Sequence, residues 1–219
     1  ALHHGRPQPR ERLAEALWGD EGDGDPATCL RQTLWRARLA LAAAAPSLLH
    51  VDAESVALDD GDGTWLDLAA YEALTAPSAR VPGFALSDAD RDRLSEAADL
   101  VVGELLDGCY RDWCAADRDR FHTRHLRVLD QLVGCAEARG DHAAGLDWAS
   151  RILAREPARE PTHRAVMRLH LLHGDRGAVL RQFDRCARAL DRDYGLAPSP
   201  RTTALADLAR HGDGPFDAA

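Results

Sequence analysis

PATCLRQTLWRARLALAAAA, residues 26–45, holds three arginines (Arg31, Arg36 and Arg38) and no acidic residue, in a 219-residue chain of net charge −9. Asp25 followed by Pro26 has the form of a helix N-cap with proline at the first helical position. At helical spacing Leu30, Leu34, Ala37 and Leu41 share one apolar stripe, which predicts a helix over 26–45 docked on a small core. Gln32 and Arg36 then point away from the stripe, with Arg31, Trp35 and Arg38 along one flank. Guanidiniums and an amide displayed this way suit phosphates and the base edges of a major groove. An ordinary amphipathic helix with a solvated arginine face gives the same pattern, so the neighbours decide.

Working outward, residues 9–18 (PRERLAEALW) predict a short amphipathic helix with Pro9 in its first turn. Leu13, Ala16 and Leu17 lie on one face, and Gly19 is the stop. Residues 19–25 (GDEGDGD) read as a polar acidic loop. Residues 1–5 read as the tail of a helix closed by glycine, as if the chain began inside an element. Beyond Pro46, short apolar runs at 48–51 and 56–58 flank Asp52-Ala53-Glu54-Ser55 and predict a β-hairpin. Helix, loop, basic helix and hairpin, in that order, make a winged helix-turn-helix. Residues 59–63 (DDGDG) lack the ligand alternation and closing glutamate of a calcium loop and read as a solvated turn.

The second half is helical throughout. A short helix over 65–74 and a proline-bearing connector over 75–87 lead into helices at about 88–102, 110–139, 142–156, 161–173, 177–194 and 200–211. Gly140-Asp141 recurs as Gly174-Asp175, a spacing of 34 residues. At the same offset Leu132 matches Val166, Val133 matches Met167, Ala149 matches Phe183 and Ile152 matches Cys186. That period is the tetratricopeptide signature in degenerate form, whose stacked units leave a groove that binds protein; a plain helical bundle is the alternative. The expected organisation is mainly α: a winged helix-turn-helix over 1–64 and a tetratricopeptide-like domain over 65–219.

Composition sets limits on function. Residues 1–65 hold six arginines against eleven acidic residues, a net of −5, so any nucleic-acid surface must be local. The five cysteines are odd in number and none has CxxC spacing, which points to reduced thiols in a cytoplasmic protein. No apolar run approaches the 18 residues of a membrane span, and no signal peptide is visible. There is no GxSxG, and a chain without lysine has no phosphate-binding P-loop. His122 and His125, like His170 and His173, are i,i+3 pairs with metal-ligand spacing but no partner ligands at a recognised distance. Cys109 and Cys114, on either side of Trp113, read as packing. The expectation is no enzyme, no metal and no cofactor.

Four stretches carry a resemblance: GRPQPRERLAEALWGDE (5–21), LRQTLWRARLAL (30–41), GELLDGCYRDWCAADRDRF (103–121) and LDRDYGLAPSPRTTALADL (190–208). Together they resemble the antibiotic-regulatory (SARP) class of bacterial transcription factors. That class joins an OmpR-like winged helix to a bacterial transcriptional activator domain of tetratricopeptide-like helices. The resemblance implies an activator whose helix at 26–45 enters the major groove through Arg31, Gln32, Trp35, Arg36 and Arg38, with the hairpin at 48–58 as wing. It implies double-stranded DNA, RNA polymerase or other regulatory proteins, and a second copy in a homodimer as partners, and no membrane. Two departures stand out. The family's winged helix opens with a small sheet and a full first helix, which this sequence is expected to lack. Ala37 and Leu39 occupy positions where leucine and arginine are expected, which removes one positive charge. The alternative function is a protein–protein scaffold built on the helical repeats that reads no DNA.

Overall fold

The computed structural model describes residue 3 and residues 5–19, 24–43, 45–59, 65–109 and 111–211. The Asp25 carboxylate accepts hydrogen bonds from the Thr28 amide (3.0 Å) and the Thr28 hydroxyl (2.6 Å), and this cap starts the arginine-bearing helix. The chain order is β1 (Gln8–Pro9), α1 (Arg10–Trp18), α2 (Pro26–Leu41), β2 (Leu49–Val51) and β3 (Ser55–Leu58). Helix α2 ends at Leu41, short of the expected residue 45. The alanines past that point offer only methyl groups to pack, and the residue before Pro46 is pushed out of the helical region. The expected two-stranded hairpin is the β2–β3 part of a three-stranded antiparallel sheet of order β1–β3–β2, with Gln8 opposite Val56 and Pro9 opposite Ser55. Pro9 therefore sits in an edge strand and caps α1 rather than lying in its first turn. An edge is where a residue without an N–H is tolerated.

The chain divides into two compact units, Ala1–Ala73 with Val102–Phe121, and Leu74–Val101 with His122–Ala219. The small core of the first unit's head takes one buried residue each from α1, α2 and β3: Ala14, Leu30 and Val56. Leu34, Ala37 and Leu41 are half-buried on the side of Leu30, so the predicted stripe does face inward. The same unit includes most of α3 (Asp67–Thr75), whose buried Tyr71 has its ring centroid 5.0 Å from that of Phe121. Gly5 takes a left-handed conformation (φ 66°) and its amide donates to the Leu58 carbonyl. His3 lies in a turn, its carbonyl accepting from the Arg6 amide; residues 1, 2 and 4 of the expected helix tail, the core of the acidic loop at 20–23 and the turn at 60–63 lie outside the described residues.

In the second unit, α4 (Asp88–Asp99) opens with a capping box in which Ser87 and Asp90 exchange hydrogen bonds. It is preceded by a 3₁₀ turn, Gly83–Ala85, within the expected connector. Then follow α5 (Asp112–Arg139), which belongs to both units, α6 (His142–Arg155), α7 (Glu160–Leu172), α8 (Arg176–Tyr194) and α9 (Pro200–His211). The 34-residue repeat recurs in geometry. Gly140 and Gly174 both turn left-handed (φ 67° and 78°), and Asp141 and Asp175 both cap the next helix, accepting from the amides of Ala144 and Ala178. Leu132, Val133, Val166, Met167, Ile152 and Cys186 are all buried, as the offset requires. Helix α9 closes the stack: Ala206 and Ala209 join Met167, Leu171 and Val179 in one core cluster against which Phe183 packs. This is the place a further repeat would fill, and a terminal cap of this kind shields the last apolar face.

Candidate nucleic-acid interface

With the Leu30 stripe turned inward, the opposite pole of α2 is left to solvent. Arg31, Gln32, Trp35, Arg36 and Arg38, the five residues singled out from sequence, are all exposed on this one helix. At about 100° per residue, Gln32 and Leu39 stand farthest from the stripe, with Trp35 and Arg36 about equally displaced to either side of them. Arg31 and Arg38 stand on the Trp35 flank, opposite Arg36. Leu39 was legible only as a missing charge; the structure makes it part of the pole, 66% exposed beside Trp35 at 65%.

The flanking arginines differ in how they are held. Arg31 donates to the Thr28 hydroxyl (2.7 Å), which itself donates to Asp25, so it leans over the helix start. The Thr28 hydroxyl, above all, holds the Asp25 carboxyl below the usual range, with backbone amides and Arg31 adding to it. Arg38 reaches from the last turn of α2 to the Val51 carbonyl of β2 (3.3 Å) and ties helix to hairpin. Among the described residues Gln32 and Arg36 make no hydrogen bond or ion pair and are open to an incoming ligand.

The hairpin tip is built by Asp52. Its carboxylate accepts from the amides of Glu54 (2.8 Å) and Ser55 (2.6 Å) and from the Ser55 hydroxyl (2.8 Å). These bonds, the Ser55 amide foremost, lower its pKa and keep it ionised. Arg10 fastens the tip to the start of α1: its side chain donates to the Asp52 carbonyl (2.9 Å) and its amide to the Glu54 carbonyl (2.9 Å). The tip is rigid, exposed and negative, a poor partner for phosphate.

The histidine pairs take other roles. His122 meets Glu156 (2.9 Å) while His125 is buried, so the first pair is split. His170 and His173 are joined by His142, whose ring stacks on His173 and whose Nε2 lies 3.3 Å from His170 Nδ1. Among the described residues no group of three or more His, Cys, Asp or Glu side chains could hold a metal ion. The five cysteines are free; Cys114, Cys135 and Cys186 are buried. Among the described residues no helix is long and apolar enough to cross a membrane.

Comparison with known proteins agrees with this architecture. Regulatory protein AfsR of Streptomyces coelicolor is 25% identical over 199 residues, 91% of this chain, and the chain spans 20% of that protein's length. In fold, the chain superposes on Mycobacterium tuberculosis EmbR, solved in complex with a low affinity phosphopeptide. The TM-score is 0.73 at 19% identity, over 97% of this chain and 57% of that one. Residues 66–208 match the bacterial transcriptional activator domain, which is about two thirds of the sequence. The chain belongs to the bacterial transcriptional activator domain family.

Proposed function

We propose that the chain is a cytoplasmic, DNA-binding transcriptional activator that reads double-stranded DNA by placing α2 in the major groove. In this proposal residues 1–64 form the DNA-binding domain. Residues 65–219 serve self-association into a homodimer and contacts to RNA polymerase or other regulators, with no catalytic step and no cofactor. One observation carries the reading. Helix α2 turns its whole apolar stripe to the core and displays three guanidiniums and an amide outward with no acid among them. Gln32 and Arg36, open and unengaged, are the base-edge candidates. Arg31 and Arg38, on the flank nearer the hairpin, are the phosphate candidates.

The test is fluorescence anisotropy on a pool of genomic duplexes at several salt concentrations. Arg36→Ala is expected to cost about 1–3 kcal/mol and to relax preference at one base position. Arg31→Ala and Arg38→Ala are each expected to weaken all sequences alike and to lower the salt slope by about one. If the wild type binds no fragment above nonspecific background, or the substitutions leave binding unchanged, the chain is a scaffold of helical repeats instead.

A further inference from the structure

The outer face of α2 carries two large apolar side chains beside Gln32, which phosphate and hydrogen-bond recognition do not account for. Trp35 and Leu39 are i and i+4, about 6 Å apart along the axis, with Leu39 opposite Leu30 and Trp35 about 40° to one side of it. Both expose about two thirds of their surface. Neither carries a hydrogen-bond acceptor, and Leu39 carries no donor either. Arginines stand on both sides of them, Arg31 and Arg38 to one side and Arg36 to the other. A helix seated in a groove has a phosphate backbone on each side and base edges below its pole. The floor of the major groove is lined with donors and acceptors, and its apolar feature is the 5-methyl group of thymine.

We propose that Trp35 and Leu39 form an apolar reader of thymine 5-methyl groups on the major-groove floor. This rests on the DNA-binding reading of α2 and goes beyond it by naming what the pole recognises. The charge layout selects DNA over a protein partner: α2 has no acidic residue, and its cations straddle the apolar pair rather than lying to one side. The 6 Å between the two side chains matches about two base steps of 3.4 Å, so the methyls they meet lie about two base pairs apart. A buried methyl contributes about fourfold in affinity, so the pair together contributes on the order of tenfold.

The experiment uses the full chain and the tightest duplex recovered from the genomic pool. Each thymine in that duplex is replaced in turn by deoxyuridine, which removes the methyl and leaves every hydrogen-bonding group in place. Affinity is expected to fall about fourfold at each of two positions about two base pairs apart and to hold elsewhere. Leu39→Ala is expected to abolish the thymine–uracil difference at one of these positions and Trp35→Ala at the other. Both side chains are exposed, so the variants should keep the wild-type circular dichroism. Replacing a cytosine by 5-methylcytosine at the two positions, in place of thymine, should restore part of the affinity if the methyl alone is read. Equal affinity for thymine and uracil duplexes, with salt-dependent sequence preference intact, overturns the methyl reader and leaves the DNA-binding reading standing. A thymine–uracil difference that survives both alanine substitutions overturns it as well. Absence of binding to any duplex overturns both.

Discussion

His125 lies in α5 with 2% of its surface exposed, and its burial should make the second unit's stability depend on pH. Burial, with Arg155, His122 and Arg151 adding to it, lowers its pKa to about 4. The unfolded chain restores a value of about 6.5. Between these limits the unfolded state takes up a proton that the folded state refuses, so stability is full above about pH 6.5 and falls as pH drops towards 4. From pH 7.5 to pH 5 the loss is about 2 kcal/mol, and at most about 3 kcal/mol once both limits are passed. His163 and His170 are shifted in the same direction, mainly by burial, and steepen the slope. Urea denaturation at pH 7.5 and pH 5, comparing wild type with His125→Gln, isolates the contribution of this side chain. The variant should lose stability at pH 7.5 but show a slope shallower by about 2 kcal/mol over that interval. An imidazole titration by NMR with a midpoint above pH 6, or an unchanged slope in the variant, refutes the reasoning.

Phe183→Ala should destabilise the second unit by about 2–3 kcal/mol in urea denaturation. The ring packs on the Met167, Leu171 and Val179 cluster but is only half-buried, so the loss falls below that of a fully buried aromatic. A loss under about 1 kcal/mol would place it at the surface. Gly83→Ala should cost about 1–3 kcal/mol by overpacking, because a Cβ there would collide with the Gln131 carbonyl and sit 3.1 Å from the Cys135 amide nitrogen. Gly134→Ala faces Gly83 across the same contact but meets nothing nearer than 3.5 Å, so it should cost less. Equal effects of the two, read by thermal unfolding, would disprove that close approach.

Elements whose cause is local could be read from the sequence. The cap and first turn of α2 are specified by three consecutive residues, Asp25, Pro26 and Ala27, with Thr28 closing the bond. The stripe that seats the helix is specified by period alone. The two Gly-Asp turns were legible for the same reason, since a left-handed glycine and a capping aspartate act within four residues of each other. Strand β1 was not legible. It is two residues long, one of them proline, and it exists because Ser55 and Val56 lie across from it some 46 residues later. The helix expected to begin at residue 110 begins at Asp112 for a comparable reason. Arg118 donates to the carbonyls of Leu105 (3.0 Å), Leu106 (3.0 Å) and Cys109 (2.5 Å), and so holds the preceding loop with Leu106 and Gly108 at positive φ. A side chain inside the helix, bonded to carbonyls 9 to 13 residues back, organises the chain before its start.

The net charge of the head was fully legible and points away from DNA, whereas the field over α2 depends on where each charge is held. At physiological ionic strength the screening length is about 8 Å, so the surface of α2 responds to the groups beside it and little to a total over 65 residues. On α2 and at its cap those groups are Arg31, Arg36, Arg38 and Asp25. Asp25 spends its carboxylate on the Thr28 amide and hydroxyl, with Arg31 drawn against the same hydroxyl. Asp52 is likewise turned into its own loop by Glu54 and Ser55. Asp25 and Asp52 stay charged, but their carboxylates are directed to the amides of their own cap and turn. The same exposed face carries Trp35 and Leu39, with cations on both sides. An acidic head can therefore present one locally basic helix, and in the proposed reading its apolar pair adds to what its arginines distinguish.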